Sequence, residues 1–172
     1  THALHMPVLP GYDGMPLHDG VRDMPALGRV VAEYVDKTFG EPVDVMGHSF
    51  GGRTALWMAA QKPQAVDHLV LEAPSGFAPN GSFPTDAETL RKRMFAHPEK
   101  RPPGERSPHV ANNREATQVY LQGNTFDAEL QPRLASITNL TLILQGTADL
   151  ICPKEAVQAL KAKLPKSWLL YV

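Results

Sequence analysis

Gly47-His48-Ser49-Phe50-Gly51-Gly52 follows directly on the β-rich run Val43-Asp44-Val45-Met46. It leads into small and apolar residues, Thr54, Ala55, Leu56, Met58, Ala59 and Ala60, that end at Pro63. Gly-x-Ser-x-Gly is a weak pattern by itself, because small residues meet that spacing by chance. A strand before it and a helix after it make it specific. A serine on such a turn is expected to have a strained backbone and an exposed hydroxyl above the sheet edge. Gly47 and Gly51 are then needed because side chains there would block the close strand–helix approach. The helix N-terminus turns free N–H groups and its positive dipole end toward the serine. The Phe50 N–H becomes one donor to the oxyanion of a tetrahedral intermediate, so the chemistry implied is nucleophilic attack by Ser49. The competing reading is a glycine-rich turn that binds phosphate or merely packs. The Gly-Lys-Ser/Thr phosphate loop and the spaced glycines of dinucleotide binders are both absent.

The elements that must hold this turn read as an alternation of short apolar runs and helices, the pattern of an α/β domain with a parallel sheet. Ala3–Leu9 reads as a strand ending in the turn Pro10-Gly11. A helix begins near Asp23, with Asp23 as N-cap, Pro25 in the first turn and Gly40 as the stop. Its Leu27, Val30, Val31, Tyr34, Val35 and Phe39 share one face. Val43–Met46, His68–Glu72, Leu140–Gln145 and Trp168–Val172 read as further strands. Pro153 opens a helix with the apolar stripe Ala156, Val157, Leu160 and Leu164. From about Pro74 to Ile137 the character changes. Thr85-x-x-Glu88 is a capping box opening a helix with Leu90, Met94 and Phe95. Pro98 to Pro108 reads as loop, and a second helical piece covers Arg114 to Leu121, stopped by Gly123.

Val45-Met46-Gly47-His48-Ser49-Phe50-Gly51-Gly52, followed by Leu142-Ile143-Leu144-Gln145-Gly146-Thr147-Ala148-Asp149 and Pro153, resembles the α/β-hydrolase fold family. The likeness is to small serine esterases and carbon–carbon bond hydrolases with a helical cap, and it covers nearly the whole chain. It implies an α/β-hydrolase core, mostly parallel, with helices on both faces. Residues 1–73 would form its first part, 74–137 a helical cap or lid, and 138–172 its second part with the acid strand. It also implies that Asp149 is the acid that orients a histidine, in the order serine, acid, histidine. Asp149 could instead cap a turn before the helix, and Glu72 is a possible substitute acid. Serine at the turn argues against the dehalogenases and epoxide hydrolases that resemble the fold otherwise.

No histidine follows Asp149; His2, His5, His18, His48, His68, His97 and His109 all precede it. His48, a neighbour on a tight turn, points away from Ser49 and is read as packing beside it. The resemblance also calls for an earlier strand, between Ala3–Leu9 and Val43–Met46, with a loop holding the second oxyanion donor. Neither is in the sequence. The expectation is a chain truncated at both ends, its histidine outside these 172 residues, and a gap of about 9–10 Å, two strand spacings, or another segment filling it. The family's Pro-Gly-x-Gly also departs here to Pro10-Gly11-Tyr12-Asp13-Gly14.

Composition narrows the partners. A net charge of -1 argues against nucleic acid and anionic membranes. No run approaches the roughly 18 apolar residues of a membrane span. The lone Cys152 excludes a disulfide framework or a multi-cysteine metal site. Arg91, Lys92, Arg93, Lys100, Arg101 and Arg106 read as a solvated face, diluted by Glu99 and Glu105. No leader is visible, so a cytoplasmic setting is expected. The expected function is cofactor-free and metal-free hydrolysis of a carboxylic ester or related acyl substrate. Phe77, Phe83, Met94, Phe95, Val119 and Tyr120 are candidates for the substrate pocket or for packing on one another. The alternative is a non-catalytic binding or receptor domain of the same fold.

Overall fold

Asp23 is extended, and its carboxylate accepts from the Ala26 N–H at 2.7 Å, satisfying one of the open donors of the helix that follows. That helix, α1, runs Met24–Phe39. Gly40, at φ 67°, closes it by donating to the Asp36 carbonyl. The computed structural model describes residues 3–79, 87–94, 96–100 and 107–172. After α1 come β1 (Val43–His48), α2 (Phe50–Gln61) and β2 (Val66–Glu72). The connection from 73 to 139 carries α3 (Ala87–Met94) and α4 (Val110–Leu121). Then come β3 (Leu140–Gln145), α5 (Lys154–Lys163) and β4 (Ser167–Tyr171).

The four strands form one parallel sheet in the order β1-β2-β3-β4. Strand residues alternate between faces, so register sorts them. Gly47, Leu71, Ile143 and Leu169 make one cross-strand row, on the face packed by the helices. α2 lies against β1 and β2, α5 against β3 and β4, and α1 covers α2. A Cβ built on Gly28 of α1 would stand 2.7 Å from the Trp57 Cβ, so a glycine there lets the two helices touch. From Gly52 to Ala59 α2 is buried on every side, which accounts for a composition that is small or apolar apart from Arg53.

The opposite row behaves differently. Met46, Val70, Leu142 and Trp168 are register partners, and Met46 is 64% and Trp168 59% exposed. The sequence reading placed helices on both faces; among the described residues the helices cover one. A second difference concerns Ala3–Leu9, which forms no strand. Residues 3–8 are exposed, Leu9 is half-buried against the core, and His5 sets its ring edge-on to Phe39 at 4.8 Å. Leu4, Met6 and Val8 alternate as a strand would, but a strand exists only where a ladder partner meets its N–H and C=O groups. The expected gap therefore has a strand, β1, on one side only.

α4 is anchored to the 10–14 loop. The Asn113 Oδ1 accepts from the Asp13 N–H at 2.8 Å and the Asn112 Oδ1 from the Gly14 N–H at 3.1 Å. Tyr120 donates its hydroxyl to the Pro10 carbonyl at 2.8 Å. The helix begins four residues before the expected Arg114, behind His109, which offers no side-chain cap.

Candidate active site

Ser49 stands between β1 and α2 at φ 50°, ψ -111°, a conformation that non-glycine residues avoid. Its backbone is held from three sides. Its N–H donates to the Glu72 carbonyl at 2.9 Å, and its carbonyl accepts from Arg53 N–H at 3.2 Å and Ser75 N–H at 3.0 Å. Strain of this kind persists where the surroundings over-determine it. The glycines explain how strand and helix come so close. A Cβ on Gly47 would meet the Gly51 carbonyl oxygen at 2.4 Å, and one on Gly52 would meet the Pro74 Cβ at 2.9 Å. Gly51 faces open space, with nothing within 4 Å. The requirement read onto Gly51 thus falls on Gly52: Gly51 contributes its backbone to the contact, not the room for a missing side chain.

Phe50 is the first residue of α2, so its N–H has no partner within the helix. Its ring lies 5.7 Å from that of Tyr12 and 6.0 Å from that of Tyr120, joining the turn to the 10–14 loop and to α4. Among the described residues, no side chain hydrogen-bonds the Ser49 hydroxyl.

Asp149 lies in the loop leaving β3, at the sheet edge where Ser49 leaves β1. His48, Glu72 and Leu144 are register partners at that edge, so two strand spacings, about 9–10 Å, separate the β1 and β3 ends. Its carboxylate is organised. Oδ1 accepts from the Ile151 N–H at 2.7 Å and the Cys152 N–H at 2.9 Å, and Oδ2 from the Gln145 side-chain amide at 2.9 Å. The turn-capping alternative is therefore part of the geometry, and it occupies Oδ1. A carboxylate oxygen accepts about two hydrogen bonds, so Oδ2 keeps room for another donor. Glu72 shares a row with exposed His48 and half-buried Leu144, on the face away from α2, and is itself exposed.

The end of β4 meets this loop as well: Val172 donates to the Gln145 carbonyl at 3.0 Å, and Thr147 N–H donates to the Val172 carbonyl at 2.8 Å. Cys152 is buried beside it, its thiol 3.4 Å from the Ala73 carbonyl oxygen. Burial first, and the Asp149 charge second, push that thiol up to about 12.

The described histidines are elsewhere or otherwise engaged. His18 accepts from the Gly20 N–H, His109 flanks Gly14, and His48 is exposed. His68 is at the far, N-terminal end of the strands with Asp44 and Asp67, all three exposed and with ligand-type atoms within 4.8 Å of one another. The Asp44 hydrogen bond, then the Asp67 charge, raise the His68 pKa.

Of the six pocket candidates, the four among the described residues lie in different surroundings. Tyr120 lines a cavity of about 290 Å³ with Arg53, Trp57, Asn124 and Asp127. Phe77 is packed in the core, Val119 is half-buried, and Met94 is 54% exposed. Phe83 and Phe95 lie outside the described residues, as do Thr85, Arg101 and Arg106. Two buried polar features escaped the sequence reading. Gln145 ends a strand face of Thr141 and Ile143, and Arg53 interrupts a helix of small residues. A long polar side chain in line with small or apolar residues was the available signal for both.

The family model for the alpha/beta hydrolase fold matches residues 11–112, more than half of the chain. The chain belongs to the α/β-hydrolase fold family. Lipase LipV of Mycobacterium tuberculosis is 33% identical to it over 111 residues, 63% of this chain and 39% of that protein. An sn-1-specific diacylglycerol lipase of Xenopus laevis is 30% identical over 84 residues, 48% of this chain and 27% of that protein. The chain thus spans well under half the length of either. Among solved structures, a hydrolase from Pseudomonas aeruginosa aligns at a TM-score of 0.70 with 21% identity, over 95% of this α/β-hydrolase chain and 69% of its own. A monoacylglycerol lipase of Paleococcus ferrophilus aligns at 0.60 with 20% identity, over 95% and 70%. No helix among the described residues is long and apolar enough to cross a membrane.

Proposed function

We propose that the whole protein hydrolyses carboxylic esters or related acyl substrates, with Ser49 as nucleophile. The observation that carries this is the left-handed backbone of Ser49 in a turn tight enough to need Gly47 and Gly52. Such strain at a hydroxyl-bearing residue has a use when the hydroxyl must stand clear of sheet and helix. The Ser49 oxygen attacks the carbonyl carbon while a base takes its proton, and the new oxyanion accepts from the Phe50 N–H. Collapse expels the alcohol, which regains that proton, and water then repeats the sequence on the acyl-enzyme. The base is a histidine outside these 172 residues, oriented through its Nδ1–H by the remaining acceptor position on Asp149 Oδ2. No cofactor enters this reaction. Residues 74–137 act as the cap, with Tyr120 of α4 and Phe50 facing the acyl group. The names of the related lipases agree with this class of substrate.

The test is hydrolysis of short p-nitrophenyl esters by the whole protein. Ser49→Ala is expected to lower kcat on the order of 10⁴-fold or more. A protein with no turnover and no acyl-enzyme would instead be the binding domain that the missing base allows.

A further inference from the structure

Arg53 lies one helical turn beyond Ser49 and is 4% exposed. Its Nε donates to Asp127 Oδ2 at 2.6 Å and its Nη1 to the Asn124 carbonyl at 3.1 Å. Asp127 is almost as deeply buried. Its Oδ2 also accepts from Trp57 Nε1 at 2.8 Å, and its Oδ1 from the Leu130 N–H at 3.0 Å. Its own N–H donates to the Gly76 carbonyl at 2.8 Å. Gly76 in turn sits at φ 100° against the Arg53 stem, where a Cβ would come within 3.0 Å of Cδ. One ion pair therefore reaches the 73–139 connection twice, at Gly76 on its way out and at Asn124 to Asp127 on its way back. Bridges between Gly76, Phe77 and Phe126 join the two roots directly.

A buried ion pair is weak as a source of stability, because desolvation of the two charges offsets their attraction. What it can do well is fix geometry, since a guanidinium fork accepts few arrangements of its partners. The geometry fixed here leads to the turn. Asn124 follows α4 by three residues, and α4 carries Tyr120, whose ring lies 6.0 Å from that of Phe50.

We propose that Arg53 and Asp127 are positioning residues that pin both roots of the 73–139 connection to α2. They thereby set the Tyr120–Phe50 wall that selects among acyl chains. The selective role rests on Ser49 being the nucleophile; the pinning does not. A group that pins the wall affects substrates long enough to reach it and spares those that are not.

The experiment compares p-nitrophenyl acetate with p-nitrophenyl octanoate in the whole protein, alongside hydrogen exchange of the 110–130 amides. Asp127→Asn is paired with the double variant Arg53→Met, Asp127→Asn, which leaves no unpaired charge and decides the matter if the single variant does not fold. Expected are faster exchange in 110–130 and a loss of about tenfold or more in kcat/KM for the octanoate, carried by KM, with acetate kcat within about twofold. Unchanged exchange, or equal loss of kcat on both esters in the folded double variant, overturns the proposal. An active Ser49→Ala protein would overturn the nucleophile reading and with it the selective role, while the exchange data would still judge the pinning.

Discussion

Gln145, with no solvent exposure, donates its side-chain amide both to Asp149 Oδ2 and to the Cys152 carbonyl, each over 2.9 Å. The end of β3 thus clamps the loop that carries Asp149. If Asp149 orients the base, Gln145→Leu should lower kcat of the whole protein on the order of 10- to 100-fold, since misplacement by about 1 Å is that costly. KM should change little, while Tm should fall modestly: the Cys152 carbonyl loses its buried donor, at about 1–3 kcal/mol, partly offset by removal of a buried Oε1 that has no partner among the described residues. An unchanged kcat would show that the clamp serves the loop alone.

The glycines of the turn should separate cleanly on substitution. Gly47→Ala forces a Cβ to within 2.4 Å of a backbone oxygen, and Gly52→Ala presses on Pro74. Both should destabilise, Gly47→Ala by several kcal/mol, on the order of 3 or more, because backbone cannot yield as a side chain can. Gly51→Ala has open space and a helical position, so it should be neutral or stabilising by up to about 1 kcal/mol. Urea midpoints of the three variants check the order.

That contrast marks what was legible in the sequence. α1 could be read because its stop signals are local: Asp23 caps, Pro25 starts and Gly40 closes. The Ser49 turn and the β3–Asp149 loop were likewise found from adjacent residues. Which glycine meets a neighbour depends on how α2 crosses β1, and no pattern of spacing encodes that. Ala3–Leu9 alternates correctly but lacks a ladder partner, and Arg53 finds Asp127 across 74 positions of chain. Met94 fits a helical stripe, yet a stripe is buried only if something packs on it. The legible parts are those set by neighbours in sequence, and the rest are set by contacts.

Cys152 should be inert in the folded protein. With its thiol pushed up to about 12, the thiolate fraction at pH 8 is roughly one in ten thousand, and burial bars reagents as well. A disulfide reagent should modify it only after denaturation. Rapid reaction of the native thiol would mean that the loop around Asp149 opens readily.

His68 should titrate above its ordinary 6.5, because the Asp44 hydrogen bond and then the Asp67 charge favour the imidazolium. A raised folded pKa gives stability that is complete below about 6.5 and fades as pH rises through the folded value. His68→Gln should remove that part of the pH dependence of Tm. An NMR titration placing the His68 midpoint at or below 6.5 would contradict the geometry of this trio.

The central claim is that the strained turn makes Ser49 a nucleophile. Treat the whole protein with a fluorophosphonate, which phosphonylates an activated serine oxygen with loss of fluoride, and map the adduct by mass spectrometry. The account predicts one adduct, on Ser49, absent from denatured protein and from Ser49→Ala. Active protein that stays unlabelled at Ser49, or carries its adduct on another residue, would contradict it.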